Sequence, residues 1–179
     1  PLGSMNILVS AYKSYLSKRF NIKEVANDNI LNLGGTREGT FSVIQSLFNK
    51  KIKSKKPYVL MPNPFYQIYG GATLLAGGIS KQINLNEDNG FSLDLNSINE
   101  NIWKKCQIFV ACSPSNPTGS VLKEDEIRKI IKLSRKYGFY IVSDECYIDI
   151  YRESKPKSFI EISYEQFRNF KNIVSLHSL

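Results

Sequence analysis

The apolar residues of the chain fall into short blocks with two different spacings. Residues 6–20 place Ala11, Tyr15 and Leu16 at helical spacing, which predicts an amphipathic helix. Later blocks are short continuous apolar runs, and these are typical of buried strands. The predicted strands are residues 29–33, 58–61, 79–85, 107–111, 139–143 and 173–176.

Helical patterns lie between most of these strands. The clearest covers residues 124–137, with an acidic first turn and a basic last turn that suit the helix dipole, and Gly138 follows as a helix-ending residue. Further helices are predicted after Gly34-Gly35 and over 66–76 and 94–104. Strands alternating with helices predict an α/β fold, a three-layer α/β/α arrangement with a mostly parallel, mixed sheet. Ligands of such sheets bind beyond the carboxyl ends of the strands.

The chain carries a formal net charge of +8 at pH 7. Basic proteins include nucleic-acid binders, but the lysines are scattered. The one dense cluster, residues 50–56, lies between a predicted helix and a predicted strand and therefore indicates a solvated loop. The charge does not favour a nucleic-acid binder, although that function stays an alternative.

The remaining composition excludes several classes. Cys106, Cys112 and Cys146 have no metal-binding or CxxC spacing, so we expect buried thiols and neither a disulfide nor a metal site. No run approaches the roughly 18 apolar residues of a membrane span. Residues 1–4 have the form of a protease-tag remnant, and nothing after Met5 has the layout of a signal peptide. We therefore expect a cytoplasmic protein without membrane contact.

Polar residues at the strand ends supply the candidate chemistry. Gly34-Gly35-Thr36-Arg37 opens a helix after the first predicted strand. Glycines let the backbone approach an anion, and the N–H groups at a helix start bind phosphate. The spacings of the nucleotide P-loop and of the dinucleotide fingerprint are absent. A plain glycine turn before a capped helix is the alternative.

Three further strand ends carry aromatic, amide and carboxylate groups. Tyr66, with Phe65 and Tyr69 beside it, follows the strand at 58–61 and could be core or could present a ring to a flat ligand. Asn116 lies in the turn sequence SPSNPTG after the next strand. The segment SDECY then places Asp144 directly at a strand end, where a carboxylate needs a partner to stay charged.

Taken in this order, the segments resemble the pyridoxal phosphate site of fold-type I aminotransferases. SPSNPTG and SDECY are the most specific, and the resemblance extends from about residue 6 to the end of the chain. GTREG and NPFYQIYGGATLLAGG are most similar to N-succinyl-L,L-diaminopimelate aminotransferases. Aspartate, alanine and L,L-diaminopimelate aminotransferases remain as relatives.

The resemblance implies pyridoxal 5′-phosphate as cofactor and a role for each matching residue. Asp144 would keep the pyridine nitrogen protonated, and Tyr66 would stack on the ring. Asn116 and Tyr147 would bond the phenolic oxygen of the cofactor. The phosphate would be held by Gly35, Thr36, Arg37 and Ser178.

The family places a Schiff-base lysine three positions after the serine that Ser178 matches. That lysine would follow Leu179, so we expect no catalytic residue within these 179 residues. The resemblance implies an N-terminal helix over 5–28, a partial cofactor-binding large domain over 29–179 and a C-terminal small domain outside this sequence. His177, the single histidine, is predicted to be structural.

The predicted function is that of an aminotransferase fragment. The enzyme would transfer an amino group between an amino acid, such as N-succinyl-L,L-diaminopimelate, and a 2-oxo acid, such as 2-oxoglutarate, in lysine biosynthesis. The fragment alone is expected to be inactive, and a homodimer is expected because the family pairs through this domain. A non-catalytic α/β remnant that acts by self-association is the alternative.

Overall fold

The computed structural model of the protein describes residues 2–49 and 57–178. The lysine-rich segment predicted as a loop lies outside the described residues, and so does Leu179. The helices are α1 (Leu2–Phe20), α2 (Thr36–Leu47), α3 (Gln67–Ala76), α4 (Glu100–Lys105), α5 (Glu124–Tyr137) and α6 (Phe159–Phe167). The strands are β1 (Tyr58–Asn63), β2 (Ile79–Asn84), β3 (Cys106–Cys112), β4 (Tyr140–Asp144) and β5 (Ile173–Leu176).

The strands form one five-stranded sheet in the order β2-β1-β3-β4-β5. Every neighbouring pair is parallel, so the mostly parallel sheet is confirmed, while the described strands supply no antiparallel member for a mixed sheet. Cys112 is paired with Asp144, and Asp144 with Leu176. The carboxyl ends of the three strands β3, β4 and β5 therefore meet at one edge.

Both faces of the sheet are covered at its centre, which explains why β3 is buried along its whole length. Phe109 faces a cluster built with α4, α5 and α6, whereas its neighbour Val110 faces a cluster built with α2 and α3. Successive strand residues point to opposite faces. A side chain buried on either face contributes about 1.5–3 kcal/mol, so a strand between two helical layers has no polar alternation. The three-layer prediction is confirmed.

Helix α1 packs at the side of this unit through a third cluster. Leu16, Phe20 and Ile22 are buried there against Ile148. Arg19 fixes the end of the helix, because its Nε donates to Asp149 Oδ1 at 2.7 Å. The helix predicted over 6–20 is confirmed and begins at Leu2.

Two predicted elements were wrong. Residues 29–33 form no strand, because Asn27–Asn29 is a single 3₁₀ turn and Leu31 is 80% exposed, with no neighbouring strand to pair. The helix predicted over 94–104 begins only at Glu100. Asp94 Oδ1 instead accepts N–H bonds from the two following turn residues, Asn96 and Ser97, a local bonding pattern that competes with a helix.

Helix α6 was not predicted, although its start carries a readable signal. Ser158 accepts a hydrogen bond from Ile160 N–H, and the Glu161 side chain accepts one from Ser158 N–H. This S-x-x-E capping box satisfies N–H groups that a helix start leaves unpaired. The remaining predicted strands and helices are confirmed, with ends that differ by a few residues.

Candidate functional site

Asp144 is a buried charged group at the carboxyl edge of the sheet. It ends β4 and is 5% exposed. Its Oδ2 accepts a hydrogen bond of 2.7 Å from the Tyr69 hydroxyl, and its Oδ1 accepts a longer one, 3.4 Å, from Cys146 N–H. The weaker bond leaves Oδ1 able to accept from a better donor.

Tyr69 is fixed as a donor at neutral pH. Its side chain is fully buried in the first turn of α3. Burial, together with the nearby Cys112 and Asp144, raises the pKa of its phenol well above the usual range. The phenol therefore keeps its proton and donates a hydrogen bond to Asp144 Oδ2. The sequence indicated Tyr69 as a packing neighbour; the structure shows that it also bonds Asp144.

Tyr66 stands beside this pair. It caps the start of α3 and is half-buried. Its ring meets that of Tyr69 edge to face, with centroids 6.0 Å apart and planes at 88°. The predicted aromatic residue thus contacts the tyrosine that bonds Asp144.

Asn116 lies half-buried in the turn between β3 and α5. Two backbone bonds close this turn, from Gly119 N–H to Ser115 O at 2.7 Å and from Ser115 N–H to Ser120 O at 2.9 Å. Ser115 Oγ is buried and has no hydrogen-bond partner among residues 2–49 and 57–178. A buried hydroxyl without a partner is costly unless a ligand or water bonds it, so Ser115 is a candidate the sequence reasoning missed.

Helix α2 begins close to the end of β5. Gly35 occupies its N-cap position and Thr36 is its first residue, and both are half-buried, whereas Arg37 is exposed. A Cβ on Gly39, one turn further on, would lie 3.2 Å from Leu176 Cδ2. Because Gly39 has no side chain, the first turn of α2 approaches the end of β5.

The last two predicted site residues lie at the same edge of the sheet but are more exposed to solvent. Tyr147 is 39% exposed in the turn that follows β4. Ser178 is exposed, two residues beyond the end of β5. The structure therefore places all eight predicted residues on segments that leave or approach one edge of the sheet, although it shows no contact that assigns a role to these two.

Comparison with known proteins decides the family. Residues 5–179 match the profile of aminotransferase class I and II. The chain belongs to this aminotransferase family. The predicted recognition and the enzyme class are confirmed at the level of the family.

Curated relatives and solved structures agree with this assignment. The chain is 30% identical to LL-diaminopimelate aminotransferase of Natranaerobius thermophilus, over 87% of this chain and 39% of that protein. It is 35% identical to a probable aspartate aminotransferase of Methanocaldococcus jannaschii, over 75% of this chain and 34% of that protein. An aminotransferase of Neisseria meningitidis superposes with a TM-score of 0.87 at 40% identity, over 96% of this chain and 43% of that one.

The aminotransferase chain thus spans about two fifths of the length of these relatives. Its sheet and helices are those of the fold-type I neighbours, as the sequence predicted. Within residues 2–49 and 57–178, no helix is long and apolar enough to cross a membrane. The same residues contain no cluster of three or more metal-ligating side chains.

One buried polar group of the chain was not predicted from the sequence. Glu145 follows Asp144 and is 1% exposed. Its Oε2 lies 2.9 Å from His177 Nε2, and its Oε1 accepts from Ser143 Oγ at 2.7 Å and from Phe159 N–H at 3.0 Å. His177 was predicted to be structural, and the structure gives it a buried carboxylate as partner.

Proposed function

We propose that this chain forms the cofactor-binding part of a pyridoxal phosphate-dependent aminotransferase. The observation that carries the proposal is Asp144, a buried carboxylate at a strand end with Tyr69 bonded to one oxygen. The family to which the chain belongs generally uses this cofactor. An Asp partner for the pyridinium nitrogen is a general feature of such sites.

The donor set around Asp144 fits the aromatic part of the cofactor. Asp144 Oδ1, whose bond from Cys146 N–H is long at 3.4 Å, would accept the ring N–H. Tyr66 would cover one face of the ring. Asn116 and Tyr147 would bond the phenolic oxygen, and the unpartnered Ser115 hydroxyl lies beside Asn116.

The phosphate would lie at the start of α2. Free N–H groups and the positive end of the dipole favour an anion there. Gly35 and Thr36 are placed at this start, Arg37 adds a positive charge, and the approach of Gly39 to Leu176 brings the helix toward Ser178. These four predicted contacts would hold the phosphate from two elements.

The chain's own contribution is to bind and orient the cofactor and to hold one proton. When bound, pyridoxal phosphate withdraws electrons from the substrate Cα through its protonated ring. Asp144 would hold that ring proton through a hydrogen bond, and the Tyr69 hydroxyl would keep the Asp144 side chain in place. The lysine that the family resemblance requires would follow Leu179, so the proposal assigns cofactor binding to this chain and proton transfer to a residue outside it.

For the substrates, we propose an amino acid donor of the diaminopimelate class, N-succinyl-L,L-diaminopimelate, with 2-oxoglutarate as acceptor. The segments GTREG and NPFYQIYGGATLLAGG support this choice, and several relatives are named LL-diaminopimelate aminotransferases. Aspartate is the second candidate, because other relatives are named probable aspartate aminotransferases. A cytoplasmic homodimer completes the proposal.

Cofactor binding can be tested with pyridoxamine 5′-phosphate, the amino form of the cofactor, which has no aldehyde to react with surface lysines. We expect saturable binding by fluorescence titration of the 179-residue chain. Asp144→Asn should weaken it by about tenfold or more, because a neutral amide cannot hold the ring proton. Asp125→Asn, at an exposed position in α5, is the matched control and should bind like the parent. Absence of saturable binding, or equal affinity of both variants, contradicts the proposal.

The substrate proposal needs the natural full-length protein. Glutamate formation from 2-oxoglutarate would be measured with N-succinyl-L,L-diaminopimelate, L,L-diaminopimelate, aspartate and alanine as donors. We expect the highest kcat/KM with the succinylated donor. A higher value with aspartate would assign the enzyme to the second candidate.

A further inference from the structure

A buried chain of hydrogen bonds joins three separate elements beside the proposed cofactor site. The Tyr12 hydroxyl on α1 lies 2.9 Å from His177 Nδ1, and His177 Nε2 lies 2.9 Å from Glu145 Oε2. Glu145 follows β4 and His177 follows β5. The sequence separations are 165 and 32 residues, so only the folded chain brings these groups together.

The direction of the bonds follows from the charge on Glu145. Burial by itself would raise the pKa of Glu145, but the hydrogen bond and charge of His177, with help from Ser158 and Ser143, hold that pKa below its usual value. Glu145 is therefore a carboxylate that accepts from His177 Nε2–H, and Ser175 Oγ lies 2.9 Å from the same nitrogen. The bond is charge-assisted on the acceptor side, which makes it stronger than a neutral one.

The imidazole has little freedom to move. Rings of Tyr12, Tyr15 and Phe20 surround it, with centroids 5.9, 6.1 and 5.5 Å from its own. The side chains of His177 and Glu145 are 2% and 1% exposed. These ring contacts fix the side-chain rotamer of His177. The position of the imidazole is therefore set by α1 as much as by β5.

The network lies one residue away from two proposed cofactor contacts. Glu145 is next to Asp144 in the chain, but it contacts the β5 and α6 side, whereas Asp144 contacts Tyr69 on α3. His177 is next to Ser178. A backbone bond of 2.9 Å from Glu145 N–H to Leu176 O ties the same two segments together.

We propose that His177 is a positioning residue that sets the place of Ser178, and hence of the cofactor phosphate, relative to Asp144. The inference rests on the proposed function, because it takes Ser178 as a phosphate contact and Asp144 as the ring-nitrogen contact. Loss of the His177–Glu145 bond releases the segment after β5, while Asp144 keeps its bond to Tyr69. The phosphate contact is lost and the ring contact stays.

Two ligands distinguish the phosphate contact from the ring contact. Pyridoxamine 5′-phosphate carries the ring and the phosphate, whereas pyridoxamine carries the ring alone. We expect His177→Asn, which withdraws the donor from Glu145, to lower the affinity for the phosphorylated ligand about tenfold, the scale of one lost charged hydrogen bond. Its affinity for pyridoxamine should stay within about twofold of the parent. A purely structural role would lower both affinities by the same factor.

Conservative variants guard against a simple folding defect. His177→Gln places an amide N–H close to the position of Nε2 and should restore most of the phosphate-dependent affinity. Tyr12→Phe keeps the ring and removes one hydroxyl, and it should give a smaller loss in the same direction. Ile130→Val, in the core on the opposite face of the sheet, is the destabilised control and should leave the ratio of the two affinities unchanged.

The outcomes distinguish this inference from the proposed function. Equal losses for both ligands in His177→Asn and Tyr12→Phe would overturn the positioning role and leave cofactor binding intact. Equal behaviour of His177→Gln and His177→Asn would also overturn the positioning role and leave cofactor binding intact. Absence of saturable binding to the parent chain would overturn the proposed function and this inference with it.

Discussion

Tyr69 donates its hydroxyl hydrogen to Asp144 Oδ2 at 2.7 Å, and both side chains are buried. The two residues are 75 positions apart and belong to α3 and β4. The pair gives the buried Asp144 side chain a hydrogen-bond donor, and burial of a polar group without such a partner is unfavourable. Contacts within the chain therefore hold the Asp144 side chain in place.

Tyr69→Phe tests this pair directly. The variant removes one hydroxyl and leaves Asp144 Oδ2 buried without its donor, which should lower the free energy of unfolding by about 1–3 kcal/mol. Urea denaturation at pH 7 measures the change. Tyr140→Phe, on a tyrosine that is 38% exposed, is the matched control and should stay within about 0.5 kcal/mol of the parent. Equal effects of the two variants would show that the bond contributes nothing.

The depressed pKa of Glu145 predicts that the folded chain loses stability in acid. Its pKa in the folded chain lies below the ordinary value of 4.5, chiefly because His177 offsets the cost of burial. A depressed pKa stabilises the folded chain above 4.5, and the contribution is lost as the pH falls through the folded-state pKa. Unfolding free energies between about pH 7 and 3 should thus fall more steeply for the parent than for Glu145→Gln.

The matched control for this pH series is Glu24→Gln at an exposed position. Its profile should follow that of the parent across the whole range. Parallel profiles for the parent and Glu145→Gln would contradict the assignment of the acid-labile interaction to Glu145.

Arg19→Lys should destabilise the docking of α1 although it conserves charge. Arg19 Nη2 donates to Ile148 O at 3.3 Å and to Pro156 O at 3.1 Å, while its Nε donates to Asp149. A lysine ammonium cannot reproduce this fork of donors. We expect a loss of about 1–2 kcal/mol, measured as a lower thermal midpoint. The reverse exchange next to it, Lys18→Arg at an exposed position, should leave the midpoint unchanged, and an equal shift would refute this account.

The thiols should be slow to react in the native chain. Burial, followed by the charge of Asp144, raises the pKa of Cys146 to about 12. The pKa of Cys112 is also raised, mainly by burial, and Cys106 is buried within β3. Because the thiolate is the reactive form, an aromatic disulfide reagent at pH 7.5 should label little protein in minutes. All three cysteines should react in denaturant, and rapid native labelling would place a thiol at the surface.

Local sequence patterns were sufficient to predict a helix or strand wherever the element is amphipathic or is buried on both faces. The continuous apolar runs at β3 and β4 predicted strands because helices cover both faces, and the charge pattern of α5 predicted its bounds. The apolar run at 29–33 was wrongly predicted to be a strand, because an apolar segment forms a strand only beside another strand. Sequence alone could not show that this one has no neighbour.

The sequence by itself predicted the mostly parallel α/β architecture, the family resemblance and the eight candidate residues, because these depend on local periodicity and short motifs. Only the tertiary structure decided which groups are paired. Tyr69 meets Asp144, and Glu145 meets His177 and through it Tyr12, over sequence separations of 32 to 165 residues. The physical reason is that a buried polar group is stabilised by partners from other elements, and no local pattern records which elements the packing brings together.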